Sequence, residues 1–360
     1  MSKQEIKIVL GLMFGDEGKG NTTQYLCQQA ISEGKSVAVV RFSGGPQAAH
    51  RIRLGEKEHI CSSYGAGSLL KVPTYWCSYN TFIDPIAVME ERKYLLQQGI
   101  DLYPQVPEKI RWITPYDTLA NQSNQKVLKD GTCGKGIFST FRRYKFSAGG
   151  NTPDQMLADA SDYWGIERDN YLDRLFKQSY YQLLSRQDNI PLSSYDVLIY
   201  EGSQGVLLDM DSEFFPNVTP SKTDLTMLDG LLSDNTEVYL CSRVYLTRHG
   251  NGYTPKTVCM ENYFRVEDLC NPPNKFQGTM KYGLFDLSLY TKALTRLDFK
   301  EAQPRLVFTH CDTILDKMPY LDNDITKEVS FNDFVNVIKG EFKMPVIGSF
   351  SDDSSSFIKL

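Results

Sequence analysis

Ile6-Lys-Ile-Val-Leu-Gly-Leu12, Met13, Phe14-Gly-Asp-Glu-Gly-Lys-Gly20, the segment Asn21 to Glu33, then Ser36-Val-Ala-Val-Val-Arg-Phe42: this opening stretch decides the fold. The first run is short, apolar and rich in β-branched residues, so it reads as a buried strand. Phe14 to Gly20 is a glycine-rich turn, Asn21 to Glu33 reads as a helix, and Gly34 ends it. Ser36 to Phe42 is a second strand, followed by the tight turn Ser43-Gly44-Gly45-Pro46. Strand, turn, helix, strand is a βαβ unit and implies a parallel sheet in an α/β protein. The turn itself is built for an anion. Its glycines let successive N–H groups face one ligand, the following helix adds its positive end, and Lys19 adds a full charge. It is not a Walker A box, because Gly11 stands too far before Gly18-Lys19 and Asn21 occupies the neighbourhood of the usual Ser or Thr.

The rest of the chain repeats the theme. Asp196 to Tyr200 runs into Glu201-Gly-Ser-Gln-Gly205, Glu237 to Leu246 into Thr247-Arg-His-Gly250, and Arg305 to Thr309 into His310-Cys-Asp312. In each case polar residues follow an apolar strand, at the carboxyl ends where open α/β sheets place ligand sites. No repeat or composition shift marks a linker, so residues 1–360 read as one large domain with a central, mostly parallel sheet. The segments Asn121 to Asp154 and Tyr253 to Gln277 read as loop excursions, and Ser351 to Ser356 as a loose polar tail.

Hydrophobic residues at 41% allow a sizeable core, and a net charge of −5 with no basic block disfavours a nucleic-acid scaffold. No apolar run reaches the roughly 18 residues of a membrane span, and the start does not read as a signal peptide. The cysteines at 27, 61, 77, 133, 241, 259, 270 and 311 form no CxxC pair and read as reduced, mostly buried thiols of a cytoplasmic protein (host cytoplasm if viral). Zinc is disfavoured by the same scatter and by only four histidines, at 50, 59, 249 and 310.

The second chemical signal is Arg41-Phe-Ser-Gly-Gly-Pro-Gln-Ala-Ala-His50, at the end of the second strand. Alone, His50 reads as structural; with Asp16 at the neighbouring strand end, a carboxylate and an imidazole would face one crevice.

These two segments together resemble the adenylosuccinate synthetase family, in which the second ends Asn-Ala-Gly-His-Thr. Further blocks follow in order. Gly131-Thr-Cys-Gly-Lys-Gly-Ile137 resembles a phosphate-holding Gly-Thr-Thr-Gly-Arg-Gly-Ile loop, and Glu201-Gly-Ser-Gln-Gly-Val-Leu-Leu-Asp209 a Glu-Gly-Ala-Gln-Gly run. Asn217-Val-Thr-Pro-Ser221 is similar to a Val-Thr-Ser segment, Thr247-Arg-His-Gly-Asn-Gly252 to Thr-Arg-Val-Gly-Ala-Gly, and Thr309-His-Cys-Asp312 to Thr-Lys-Leu-Asp. The resemblance implies a P-loop-NTPase-like fold and a carbon–nitrogen ligase that joins L-aspartate to the 6-position of a 6-oxopurine nucleotide through a 6-phosphoryl intermediate. It implies Asp16 as base and His50 as acid, with Mg²⁺ held by Asp16 and the carbonyl of Ala49. The triphosphate would be held by Gly15, Asp16, Glu17, Gly18, Lys19, Gly20 and Asp312. The mononucleotide would be held by Thr132, Cys133, Gln204, Thr219 and Thr279, and the aspartate by Thr279 and Lys281. A homodimer is also implied, with small-molecule substrates and no nucleic-acid or membrane partner.

Departures bear on the substrate. Asn21 stands where the family repeats Lys, and Ala49 and Arg51 flank His50 in place of Gly and Thr. In Asn274-Lys-Phe-Gln-Gly-Thr-Met-Lys-Tyr-Gly283 the arginine that reaches the ribose 2′-oxygen aligns with Thr279. Losing that fork favours a 2′-deoxynucleotide. With the short chain, it points to dGMP, as in phage relatives that make a 2-aminoadenine deoxynucleotide precursor. Retained Asp16 points toward IMP. Asp312 suits GTP, while His310-Cys311 leaves ATP or dATP open. Arg142, Arg143 or Lys145 could replace the family's inter-subunit arginine. A non-catalytic nucleotide-binding regulator and a kinase that needs no aspartate are the competing classes.

Overall fold

In the computed structural model, which describes residues 3–77, 80–147, 149–188, 190–253, 255–265 and 275–360, the opening unit forms where the sequence puts it. Strand β1 is Glu5–Gly11, helix α1 is Lys19–Ser32 and strand β2 is Val37–Arg41. The helix starts two residues earlier than the pattern suggests, because Gly18 (φ 77°) takes a left-handed turn that frees Lys19 and Gly20 to enter the first turn. A hairpin of β3 (His50–Leu54) and β4 (Lys57–Cys61) follows, then β5 (Thr74–Trp76), the short β6 (Phe82–Ile83), α2 (Pro85–Gln97) and β7 (Arg111–Trp112).

Next come α3 (Pro115–Ser123), α4 (Gln125–Asp130), α5 (Ile137–Phe146), α6 (Pro153–Trp164) and α7 (Asn170–Leu184). The expected excursion at 121–154 is therefore largely helical. Its glycines and prolines sit at helix ends: Gly136 (φ 79°) precedes α5, and Thr152-Pro153 opens α6 with a reciprocal Thr152–Gln155 cap. Of the second excursion, residues 254 and 266–274 lie outside the described residues, as do Cys270 and Asn274; Met260–Asn262 is a single 3₁₀ turn.

The carboxyl-terminal half supplies β8 (Val197–Gly205), β9 (Thr236–Arg243), β10 (Tyr245–Arg248), β11 (Lys281–Asp286), α8 (Leu287–Thr295) and β12 (Gln303–Thr309). It ends with β13 (Met318–Asp322), β14 (Ile325–Val329), α9 (Phe331–Phe342), β15 (Val346–Ser349) and β16 (Phe357–Lys359). The run from Glu237 to Leu246 is not one strand. It divides at Val244, so that β9 stays in the main sheet while β10 pairs antiparallel with β11 in a second, four-stranded sheet.

Eight strands make the main sheet, in the order β16-β15-β12-β9-β1-β8-β2-β5, and only β16 runs antiparallel to its neighbour. Both faces are covered, which explains the near-continuous apolar strands. On one face Ile8, Leu10, Val40, Leu240 and Phe308 pack with Tyr290 of α8 and Phe334 of α9. On the other, Val9, Val39, Ile199 and Cys241 pack with Leu26 and Ala30 of α1. A separate core under β3 and β4 joins α2, α3, α6 and α7.

Between β1 and β8 the register jumps, from Val9 opposite Glu201 to Gly11 opposite Gly205. This irregularity turns the Glu201–Gly205 segment aside at the carboxyl end of the sheet. Gly205 is required there, since a Cβ on it would lie 2.2 Å from the Met13 carbonyl oxygen. The polar tail is tied down too. Asp353 accepts from the Ser355 N–H (2.8 Å), Arg53 reaches Asp352 (2.9 Å) and Ser354 is buried. The described cysteines are all free thiols, four of them buried, and no helix of the described residues is long and apolar enough to cross a membrane.

Candidate active site

At the carboxyl ends of β1, β2, β8, β9 and β12 the loops enclose one cleft of about 1310 Å³. Gly15, Asp16, Glu17, Gly18, Lys19 and Gly20 line it, as do Ala49, His50, Thr132, Cys133, Gln204, Thr219 and Asp312. Fifteen residue positions were expected at the site; the two that do not line the cleft are Thr279, which is exposed, and Lys281, which opens β11. Position 279 therefore contributes no side chain to the cleft wall.

The glycine turn is shaped by close packing. A Cβ on Gly18 would lie 2.5 Å from Thr309 Cγ2, and one on Gly20 would lie 2.7 Å from His50 Cβ. Glycine at 20 thus lets the hairpin strand that carries His50 rest on the first turn of α1. Glu17 does not face outward. Its carboxylate folds in to accept from the N–H groups of Met13 (2.6 Å) and Gly15 (3.1 Å). Burial holds its carboxyl up at about 7, against the lowering effect of Lys19 and those two N–H donors. Glu17 shapes the loop, and Lys19, itself buried, carries the charge available to a phosphate.

Asp16 adopts a left-handed backbone (φ 57°), which Asp tolerates better than most residues. Arg243, the last residue of β9, grips it twice: Nε donates to the Asp16 carbonyl (2.6 Å) and Nη2 to Oδ2 (2.5 Å). The sequence held a clue to this arginine, a charge inside an apolar run, but reading that run as one strand to Leu246 hid its position at a strand end.

His50 is buried, and its Nδ1 bonds Glu201 Oε1. Glu201 Oε2 accepts from the Ala66 N–H (3.1 Å). Burial favours a neutral Glu201, but the charge and hydrogen bond of His50, with Arg41 behind, bring the carboxyl below its usual value. Burial likewise holds the His50 imidazole below its ordinary value, against the pull of Glu201. The outcome is an ionised carboxylate accepting from Nδ1–H, while Nε2, buried and without a hydrogen-bond partner among the described residues, is left for a ligand. Glu201 opens the Glu-Gly-Ser-Gln-Gly run, in which the family resemblance points to Gln204 alone. Arg41 donates to the Tyr64 (3.0 Å) and Ala48 (3.2 Å) carbonyls and so fixes the turn before His50.

Two carboxamides complete the wall. Gln204 Oε1 and both side-chain atoms of Gln47 are buried without partners among the described residues, and both residues line the cleft. Buried polar groups are nearly always paired, so these amides could pair with the edge of a molecule in the cleft. Thr132 Oγ1 donates to Asn121 Oδ1 (2.9 Å) and accepts from the Gly134 N–H (3.2 Å), setting the loop that opens into α5; Thr219 N–H donates to the Leu208 carbonyl (2.8 Å). Of the candidate replacements for the inter-subunit arginine, Arg143 is ruled out. It is fully buried, with Nη2 on Asp117 (2.7 Å) and Nη1 on Asp159 (2.9 Å), whereas Arg142 lines the cleft. Zinc-type ligands do meet once among the described residues, at His59, Cys61 and Glu91. There Glu91 is occupied in binding the hairpin turn, accepting from Ser62 N–H (3.1 Å), Ser63 N–H (2.6 Å) and His59 (3.0 Å).

His310 follows β12 with a left-handed backbone (φ 61°) and lines the cleft. Burial, aided by Arg243, drives its imidazole well below the ordinary value. A depressed folded value means that the unfolded chain binds the proton the native state refuses. Stability is therefore complete above about pH 6.5 and declines as the pH falls below it. His310→Asn, which suits the backbone at this position, is expected to show a shallower decline between pH 6.5 and 5 in denaturant titrations; parallel declines would remove His310 as a source.

Three comparisons with known proteins bear on this arrangement. The family model described as adenylosuccinate synthetase matches residues 8–160. The adenylosuccinate synthetase of Clostridium kluyveri is 30% identical over 248 residues, covering 60% of this chain and 56% of the relative, so the chain spans little more than half of that relative's length. That of Porphyromonas gingivalis is 28% identical over 289 residues, covering 70% and 66%. Among solved structures, the fully ligated adenylosuccinate synthetase of Plasmodium falciparum superimposes with a TM-score of 0.74 at 17% identity, over 99% of this chain and 100% of that one. The succinoaminodeoxyadenylate synthetase of cyanophage S-2L, bound to dGMP and to dATP as an energy donor, gives 0.67 at 14% identity, over 99% and 95%. At these identities the likeness is one of overall fold.

Proposed function

We propose that the chain is of the adenylosuccinate synthetase type, as the match of residues 8–160 to that family model suggests, and that it is a carbon–nitrogen ligase joining L-aspartate to carbon 6 of a 6-oxopurine nucleoside monophosphate, driven by a nucleoside triphosphate. What carries the reading is the meeting of Asp16, His50 and Lys19 on one cleft. Asp16 takes the N1 proton of the purine, and the 6-oxygen then attacks the γ-phosphorus, releasing the nucleoside diphosphate. The amine of aspartate next adds at carbon 6, phosphate leaves with the original oxygen, and the amine gives up a proton. Lys19 and the N–H groups at the start of α1 hold the phosphates. His50 meets the phosphoryl oxygens through Nε2, and the negative Glu201 on Nδ1 stabilises the imidazole as it takes a proton for the acid step. Gln47 and Gln204 supply the amides that a purine edge would satisfy.

Magnesium fits the donor set, since the Asp16 carboxylate and the Ala49 carbonyl are hard oxygens on the same cleft. When bound, it would spread the charge of the triphosphate. By the family reading the chain also forms a homodimer.

For the acceptor we favour dGMP on the alignment alone: Thr279 stands where the family has an arginine that reaches a 2′-hydroxyl, and Thr279 itself lies outside the cleft wall. The second reading, IMP, is favoured by Asp16, whose carboxylate is kept. The test is a panel of dGMP and IMP, each with ATP, dATP or GTP, magnesium and aspartate, read by the mass of the succino product. A dGMP adduct formed faster than the IMP adduct is the expected result. Faster IMP conversion would reverse the acceptor, phosphate transfer without aspartate would make the protein a kinase, and no turnover in any mixture would leave a nucleotide-binding regulator.

A further inference from the structure

Arg248 ends β10 inside the cleft wall, and it is 2% exposed. Its guanidinium lies over the Phe14 ring, 4.6 Å from the centroid. Nη2 donates to the carbonyls of Asn217 (2.8 Å) and Asn251 (3.1 Å), and Nε donates to that of Asn251 (3.3 Å). Gly252 lets the chain close over it, since a Cβ there would lie 2.7 Å from Nη2. Among the described residues no carboxylate pairs with this guanidinium, and Nη1 is buried without a hydrogen-bond partner. Burial alone, with no acid to offset it, holds its pKa down at about 10.

A guanidinium taken out of water without a counter-charge is costly, and its usual resolution is an anion that arrives with a ligand. The surroundings indicate which one. Arg248 bridges the Asn217–Thr219 segment, through the Asn217 carbonyl, to the glycine loop before α5. On that side, a Cβ on Gly131 would lie 3.3 Å from the Asn251 nitrogen, and Asn251 Nδ2 donates to the Lys129 carbonyl (2.7 Å). The triphosphate end, at Lys19 and the start of α1, has its own cation. We propose that Arg248 binds the 5′-phosphate of the acceptor mononucleotide, donating from Nη1 to a phosphate oxygen. This rests on the reading above that the acceptor is a purine nucleoside monophosphate.

The test is calorimetric and needs no turnover. Binding of dGMP and IMP is compared with binding of deoxyguanosine and inosine, for the unaltered protein, Arg248→Gln and Arg248→Lys, each checked for folding by its melting profile. Arg248→Gln is expected to weaken the monophosphates by at least about tenfold, the worth of a charged hydrogen bond, while nucleoside affinity stays within about twofold, and Arg248→Lys should recover part of the loss. Unchanged monophosphate affinity overturns the assignment. So does an equal loss for nucleosides, which is the mark of a distorted wall. If Arg248→Gln fails to fold, Arg248→Lys carries the comparison alone, because lysine keeps the charge but not the fork. Unaltered protein that binds neither monophosphate sinks the acceptor reading itself, a result distinct from any difference between variants.

Discussion

Asp16→Asn is expected to lower turnover by about two or more orders of magnitude while leaving nucleotide binding nearly intact, as loss of a positioned base does. The substitution is well suited to the question. Asparagine accepts the left-handed backbone at this position (φ 57°) as readily as aspartate, and the Asp16 carbonyl can keep its bond from Arg243 Nε. What changes is the carboxylate, which Arg243 Nη2 meets at Oδ2. Because the guanidinium holds the side chain in place, the base is preorganised toward the cleft. Parallel measurement of kcat and of triphosphate affinity separates the roles. Unchanged kcat would remove Asp16 from the chemistry, and loss of affinity with kcat intact would make it a structural element of the loop.

The second large effect is expected at His50. Exchange for asparagine should cost about 10² to 10⁴ in kcat, the range for a positioned acid or base. The imidazole is held by three separate devices: Glu201 on Nδ1, the glycine at 20 that lets the first turn of α1 touch its Cβ, and the Arg41-anchored turn before it. Glu201→Gln tests the first device independently. It keeps an oxygen for the Nδ1–H but removes the charge that stabilises an imidazolium, so a smaller loss than at His50 is the expected order. Equal, negligible losses in both variants would contradict an acid role.

Much of this arrangement was legible in the sequence because backbone geometry and glycine chemistry are local. Ile6 to Leu12, the Gly15 to Gly20 turn and Ser36 to Phe42 specify a βαβ unit by pattern alone, and they put Asp16 and His50 after consecutive strands at one end of the sheet; that β8 inserts between β1 and β2, so that the two strands are not neighbours, was not legible. What stayed hidden depends on partners distant in the chain. Arg243 meets Asp16 across 227 positions and Glu201 meets His50 across 151, and no periodicity encodes such pairings. The break at Val244 hid for a related reason: apart from Glu237, Ser242 and Arg243 the run Glu237 to Leu246 is apolar, and the competing pairing of Tyr245 to Leu284 draws β10 out of the main sheet. Glycine-rich composition at 121–154 misled because Gly136 and Pro153 mark helix ends there, not the absence of helix. Thr279 aligned by order along the chain, but alignment carries no depth, and the side chain lies outside the cleft wall.

Transfer of the purine's own oxygen tests the mechanism most directly. With the acceptor nucleotide labelled with oxygen-18 at position 6, and aspartate, magnesium and triphosphate present, the released inorganic phosphate is analysed by mass spectrometry. Attack of the 6-oxygen on the γ-phosphorus predicts one labelled oxygen in each phosphate released, matched by an equal amount of unlabelled succino product. Phosphate that carries no label, released at the rate of product formation, would contradict the proposed 6-phosphoryl step.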